Sequence, residues 1–377
     1  MYENRVCEEM PLVATTYHSL IIDSDGCVWC FGQNTCGQLG LGISNYQKEI
    51  TCSSVPLPIQ SVCGGFGHSL FLDIEGNVWG SGYNAYGCLG LGDCVQRSRP
   101  VQITSLPLIT SISGSVEHSL FLAKTGDVWA TGGNSCGQLG FGDTMQRETP
   151  VNIPGLSGIE QIACGSHFSM FIDYEGNVWG CGKNNAGELG LGHKQNVFAP
   201  VKIPSIPKIQ MVSCGGNYAL LLDVEGQVWG SGNNSFGQLG PSEKEQFLSY
   251  TKIDLPSVIS SVSTGWDHSL FLDVDQLVWA CGNNDSGQLG LGHTNNINNP
   301  TAVSYLPKCS LISTGWYHSL VVSIDCTIWT CGNNSYFQLG LGDTDPRNLF
   351  EQVTMPPDFI PGFFGKRGKR TKSAKSA

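Results

Sequence analysis

Five histidines occupy one phase of this chain: His18, His68, His118, His268 and His318. A neutral imidazole is the commonest metal ligand in proteins, so a repeated histidine first raises the question of a metal centre. Zinc, however, needs its ligands to converge on one point at about 2 Å. Residues recurring at intervals of 50 belong to separate structural units. They point to one hydrogen bond repeated per unit. Cys27 and Cys30 form a C-x-x-C pair, but positions three apart on a strand face opposite sides and cannot chelate together. No G-x-x-x-x-G-K-[ST] phosphate loop occurs. Paired carboxylates such as Asp23 and Asp25 fall in turn segments, where solvation is the expectation. No metal, no cofactor and no covalent chemistry is expected.

The histidine spacing belongs to a wider pattern. Trp29, Trp79, Trp129, Trp179, Trp229, Trp279 and Trp329 follow one another at intervals of 50, and Gly32, Asn34 and Leu39-Gly40 recur in phase through Gly332, Asn334 and Leu339-Gly340. A period of this size marks a repeat architecture whose units bury their apolar faces only by stacking. The 377 residues therefore form one body rather than several domains. In the second copy, Leu70-Phe71-Leu72 does not alternate with polar residues, as suits a strand buried on both faces. Glu75-Gly76-Asn77 is a tight hairpin signal. Asn84 is placed to bond its own loop, and Arg99-Pro100-Val101-Gln102-Ile103 alternates as an outer strand would. Four strands per unit is the content of one propeller blade.

The fold expected is all-β, a closed seven-bladed β-propeller over residues 11–357. Residues 1–10 form a lead-in and residues 358–377 a basic flexible tail. The end copies lack the polar caps an open solenoid needs. The chain's starting phase leads to the expectation that an N-terminal strand completes the last blade, putting sequence copies and blades out of register. The in-phase tryptophans are expected in the core.

Net charge is −11, yet six of the 20 basic residues fall between Lys366 and Lys375. An acidic body of this kind does not suit direct nucleic-acid binding. The 16 cysteines are too sparse for a disulfide scaffold, and no secretory signal or apolar run long enough for a membrane span is present. A reducing intracellular setting is expected, with cysteines as apolar fillers.

The loop Gly-x-Asn-x-x-Gly-Gln-Leu-Gly-Leu-Gly at Gly32 to Gly42, and Gly-x-x-His-Ser at Gly265 to Ser269, resemble the repeat of the regulator of chromosome condensation family. The resemblance covers residues 11–355 and implies a seven-bladed propeller. It also implies a protein partner, a small GTPase or a chromatin-associated protein, engaged by a monomer. The founding member is a guanine-nucleotide exchange factor for Ran, acting through acidic and polar residues of the Gly-x-x-His loops and an inserted wedge. Seven units of equal length leave no room for such a wedge.

Positions that differ between copies are where function is sought. The loop before each histidine holds Tyr17, Phe66, Glu117, His167, Asn217, Trp266, Asp267, Trp316 and Tyr317. In a ring these loops share one face, and aromatic anchors there suit a protein partner. The repeat is broken at Phe168, Tyr218, Pro241–Glu245 and Phe337. Lys366, Arg367, Lys369, Arg370 and Lys372 form a candidate nuclear-import signal, favouring the nucleus over the cytoplasm.

Overall fold

A computed structural model describes residues 12–56 and 58–362. It contains seven four-stranded antiparallel sheets, each with its strands in chain order. The first blade comprises Leu12–Ala14, His18–Ile22, Val28–Gly32 and Gln47–Cys52. The second comprises Ile59–Gly64, His68–Asp73, Val78–Gly82 and Arg97–Gln102, and the seventh ends with Ile328–Gly332 and Arg347–Gln352. The fold is a seven-bladed β-propeller.

Strand placement follows residue type. The second strand, such as His68–Asp73, is buried at every position in six of the seven blades, because a neighbouring blade covers each face. Each apolar cluster accordingly joins two blades: Leu20, Ile22, Val28 and Leu39 of blade one pack on Ile59, Val62 and Phe71 of blade two. The fourth strand is mostly half-buried to exposed.

In five of the seven blades the second and third strands are joined by a hairpin organised by one carboxylate; Ala123 and Ser323 stand there in blades three and seven. Asp73 Oδ1 accepts the amides of Glu75 and Asn77, both at 2.9 Å, while Oδ2 accepts Trp79 Nε1–H at 3.2 Å. The same indole-to-carboxylate bond joins Trp29 to Asp23 (2.8 Å), Trp179 to Asp173 (3.1 Å), Trp229 to Asp223 (2.9 Å) and Trp279 to Asp273 (2.9 Å). Burial alone would raise the Asp73 carboxyl, but bonds from Asn77 and Trp79 outweigh it and hold it below the usual range. Two expectations are corrected here. Asp23 is buried rather than a solvated turn residue, because it is the acceptor for an indole. The tryptophans are half-buried rather than core, Trp29 excepted, since their indoles sit over the hairpin at the blade end.

The N-terminal strand does not complete the last blade. Leu12–Ala14 pairs with His18–Ile22 of its own blade, Val13 opposite Leu20, and blade seven has its own inner strand at Cys309–Thr314. Copies and blades are in register. The ring closes by packing and side-chain bonds: Ala14 N–H donates to Ser313 Oγ (2.9 Å) and Trp316 N–H to the Thr15 carbonyl (3.3 Å). The C-terminal segment adds a strap. Phe359, assigned to the tail by sequence, is 8% exposed and joins Trp29, Phe31, Val353 and Leu320 in the cluster that spans the seam. Its ring meets Trp29 edge-on at 6.1 Å, and the Ile360 carbonyl accepts Ser24 N–H at 3.1 Å. In the other blades a residue of the preceding linker, such as Pro58, supplies that carbonyl to Ile74. The strap therefore stands where a linker would stand.

Phe359→Ala should lower unfolding free energy by about 3 kcal/mol, the usual cost of truncating a buried phenylalanine. Urea unfolding measures it, and a loss below about 0.5 kcal/mol would show that the strap does not hold the seam.

Candidate interaction face

The loop between the first and second strands is shaped by the histidine that follows it. The five in-phase histidines are fully buried. Each presents Nε2 to a serine on the next blade: His18 to Ser69 (2.8 Å), His68 to Ser119 (3.2 Å), His118 to Ser169 (3.0 Å), His268 to Ser319 (2.9 Å) and His318 to Ser19 (3.2 Å). Ser319 Oγ in turn donates to the Gln288 carbonyl at 2.8 Å. Its oxygen must then accept from the imidazole, which places the ring proton on Nε2. Nδ1 of His68, His118, His268 and His318 has no partner among the described residues. At His68, His268 and His318 the residue three positions earlier is glycine and lets the ring lie against the backbone; a Cβ at Gly265 would stand 2.2 Å from the His268 ring.

Two breaks in the repeat compensate one another. Phe168 replaces the histidine of blade four, and the receiving position on blade five is Ala219 instead of serine. Both are fully buried in one apolar cluster. Tyr218 restores a polar link, its hydroxyl donating to the His268 carbonyl (2.5 Å) and lying 3.1 Å from Ser269 Oγ.

Burial pushes the imidazoles down to about 3 for His18, His118, His268 and His318, and to about 4 for His68. A base whose folded pKa lies below its unfolded value of about 6.5 gives stability that is complete above 6.5 and lost as pH falls toward the folded value. Within that window each histidine contributes a slope of up to about 1.4 kcal/mol per pH unit. Unfolding free energy should therefore fall steeply from pH 6.5 to 4.5. The double variant His268→Phe/Ser319→Ala, which copies the blade four–five junction, should fold and lose about one proton from that slope. An unchanged slope would contradict the histidine origin.

Above this latch the variable loops form one face. Aromatic residues gather on blades six, seven, one and two. Trp316 lies 4.0 Å from Trp266, 5.5 Å from Phe66, 5.8 Å from Tyr17 and 6.3 Å from Tyr317, centroid to centroid. Tyr336 joins Tyr17 at 4.8 Å and stacks on Tyr46 at 5.6 Å. Phe66 and Tyr46 remain exposed. This cluster straddles the ring seam.

The remaining arc is polar. Lys183 Nζ donates to Asn217 Oδ1 at 2.6 Å and lies 4.0 Å from Glu188 Oε1. Glu188 is buried, and burial raises its carboxyl although Ala186 N–H donates to Oε2 at 2.8 Å. His167 is lowered by burial, with Glu117 opposing the shift and Lys183 adding to it. Asp267 accepts from Gln238 Nε2 at 3.2 Å, and burial pushes it up to about 6 against the hydrogen bond from Asn233.

The sequence residues are thus brought into two groups: Tyr17, Phe66, Trp266, Trp316 and Tyr317 in mutual contact, and Glu117, His167, Asn217 and Asp267 along the polar arc. Sequence reasoning missed Tyr46, Tyr336, Lys183 and Glu188. The last three were signalled by variation inside the glycine loop, where Glu188 is the one carboxylate in a phase otherwise held by Gln or Cys. Between the inner strands lies a channel cavity of about 310 Å³, whose lining includes Thr15, Ser113, Cys164, Ser213, Trp266 and Trp316 and no charged side chain. Cys30 is buried and donates to the Thr51 carbonyl (3.1 Å), whereas Cys27 is half-buried against Trp29 and Cys52. The run Gly133–Gly137 spells G-x-S-x-G, but it lies in a glycine loop between strands, not at the strand-to-helix turn of a nucleophile elbow.

Seven equal blades, five of them latched through histidine, with variable loops on one face define a repeat propeller with a loop-built surface. A family model for the RCC1-like domain matches residues 10–221 and 158–372, and the chain belongs to that family. The crystal structure of human WBSCR16 is similar, with a TM-score of 0.80, 22% identity, and coverage of 88% of this chain and 95% of that one. So is yeast RCC1 (Prp20) bound to Kap60, at 0.80 and 24%, covering 94% and 89%. A second structure, Prp20p from Saccharomyces cerevisiae, titled for its binding properties to Gsp1p and histones, scores 0.81 at 24% identity, covering 94% and 90%. At these identities the likeness concerns the fold. No curated protein matches the sequence.

Asp267 has a folded pKa above its unfolded value, so its buried charge destabilises the protein once pH rises through about 6. Asp267→Asn should stabilise by about 1 kcal/mol at pH 7.5 and have no effect at pH 4. Urea titrations at the two pH values provide the check; a destabilised variant at pH 7.5 would mean that the charge is held by favourable bonds.

Proposed function

We propose that this protein is a non-enzymatic interaction platform that binds a protein partner through its Gly-x-x-His loop face. The observation that carries the reading is the aromatic cluster of Tyr17, Phe66, Trp266, Trp316 and Tyr317 beside the polar arc of Glu117, His167, Asn217 and Asp267. Tryptophan and tyrosine dominate binding hot spots, and flanking polar groups select the partner's orientation. The latch holds the loops without using these side chains, so their identity is free to serve recognition. Trp316→Ala should weaken partner binding about 30-fold or more, the effect of a hot-spot residue, with little change in stability. Quantitative co-purification with a partner retained by the wild type tests this; equal recovery by Trp316→Ala and Phe66→Ala would remove the aromatic face from the proposal.

A second reading is guanine-nucleotide exchange on a Ran-like small GTPase. The likeness to Prp20p, whose structure was reported with its binding to Gsp1p, supports it. The described blades show no inserted wedge between their strands. The rate of GDP release from Ran with and without this protein decides between the readings: acceleration assigns exchange, and no acceleration with no binding leaves the first. We also propose that Lys366, Arg367, Lys369, Arg370 and Lys372, which lie outside the described residues, direct the chain to the nucleus. Prp20 has been solved bound to Kap60. A neutral reporter fused to residues 363–377 should accumulate in nuclei.

A further inference from the structure

The opposite face repeats a pattern that loop-face binding does not use. Each second strand ends at a hairpin tip, a strand length of roughly 20 Å from the Gly-x-x-His loop. The first tip residue is apolar and largely exposed in five blades: Ile74 (50%), Tyr174 (64%), Val224 (63%), Val274 (58%) and Ile324 (47%). Singly exposed apolar residues are ordinary, but one on each of five blades of a ring is a surface. The next residue is a carboxylate in six of the seven copies, among them Asp25, Glu75 and Asp325, and these three are exposed. Lys124, Lys208 and Lys308 offset these charges only in part.

The strap delivers the C-terminus to this face. Ile360 bonds Ser24, the first residue of the blade-one tip, and a Cβ on Gly362 would stand 3.8 Å from the Ser24 side chain. The 15 residues that follow lie outside the described residues. They begin with Phe363 and Phe364 and then carry Lys366, Arg367, Lys369, Arg370, Lys372 and Lys375. Two aromatics and six cations therefore start from the edge of a ring of apolar and acidic tips. Four extended residues span about 13 Å, so the basic run begins within that reach of the Ser24 tip.

We propose that residues 363–377 dock in cis on this ring, Phe363 and Phe364 against Ile324 and Ile74, and the basic run against Asp25, Glu75 and Asp325. The docked tail covers its own cationic run, which then becomes available only to an acidic receptor that outcompetes the rim. Loop-face binding plays no part in the argument.

The test is limited trypsin digestion of the full chain at low and high salt, following cleavage after Lys366 to Lys372 by mass spectrometry. Asp25→Asn/Glu75→Gln/Asp325→Asn should speed tail cleavage at least fivefold at low salt without adding a trypsin site. Ile74→Ser/Ile324→Ser should do the same through the apolar contact. Glu175→Gln/Glu225→Gln, on distant blades, should not. High salt should bring the wild-type rate up to that of the near-blade charge variant. Equal rates for all four proteins would overturn the proposal. So would wild-type protection that grows with protein concentration, which would place the tail on a second copy.

Discussion

A blade of four strands has two apolar faces and can cover neither alone. Everything else in this structure answers that constraint. Second strands buried at every position need neighbours on both sides, and a ring of seven supplies them without leaving an end. Apolar packing alone would let adjacent sheets slide. At five of the seven junctions an imidazole–serine bond opposes this, because it is directional and lies where water cannot replace it. At four of the five latches the serine also donates to a carbonyl of the neighbouring glycine loop, so one pair of side chains fixes the strand, the loop and the tautomer together.

The junction of blades four and five shows what the latch requires. Losing the histidine alone would leave a buried serine short of a donor; losing the serine alone would leave a buried imidazole N–H unpaired. Either is costlier than the bond is worth. Phe168 and Ala219 change together and leave no polar group behind. The seam between blades seven and one keeps its latch, through His318 and Ser19, but no covalent linker crosses it. The strap makes good that loss with a buried aromatic ring and a backbone bond.

Much of this was legible in a single sequence because the copies act as each other's controls. Phase established the strands, the hairpins and the glycine loops; Asn84 bonds Leu89 N–H as its position implied. A periodic sequence is nevertheless silent on where the units are cut. Any strand of the repeat can begin a blade, so the erroneous N-terminal clasp was as compatible with the spacing as the in-register arrangement. The deciding fact was local: Leu12–Ala14 is a sufficient inner strand. Phe359 was missed because it follows the last full copy, although it stands 50 residues after Cys309, a buried position in the same phase. The tryptophans misled for another reason. In five blades the indole bonds a hairpin carboxylate and in blade seven the Thr327 hydroxyl, at the blade end.

The same separation explains why the loop face can carry function. Residues that hold a blade to its neighbour lie on the buried strand or at the loop's base. The side chains just before each histidine take no part in the imidazole–serine latch, although Asn217 and Asp267 accept hydrogen bonds from the preceding blade. Their backbone is set from below, so they can be aromatic on one arc and charged on another without altering the fold. Two consequences of burial remain on the polar arc. Asp267 and Glu188 are held as acids in surroundings that disfavour their charge, and neither position needs a carboxylate for packing, since Asn217 and Gln138 occupy the same phases elsewhere. Groups retained against their own solvation are where a surface departs from what stability alone would choose. Asp267 lies beside the aromatic cluster, near Tyr317 and next to Trp266 in the chain, whereas Glu188 lies on the polar arc beside Lys183.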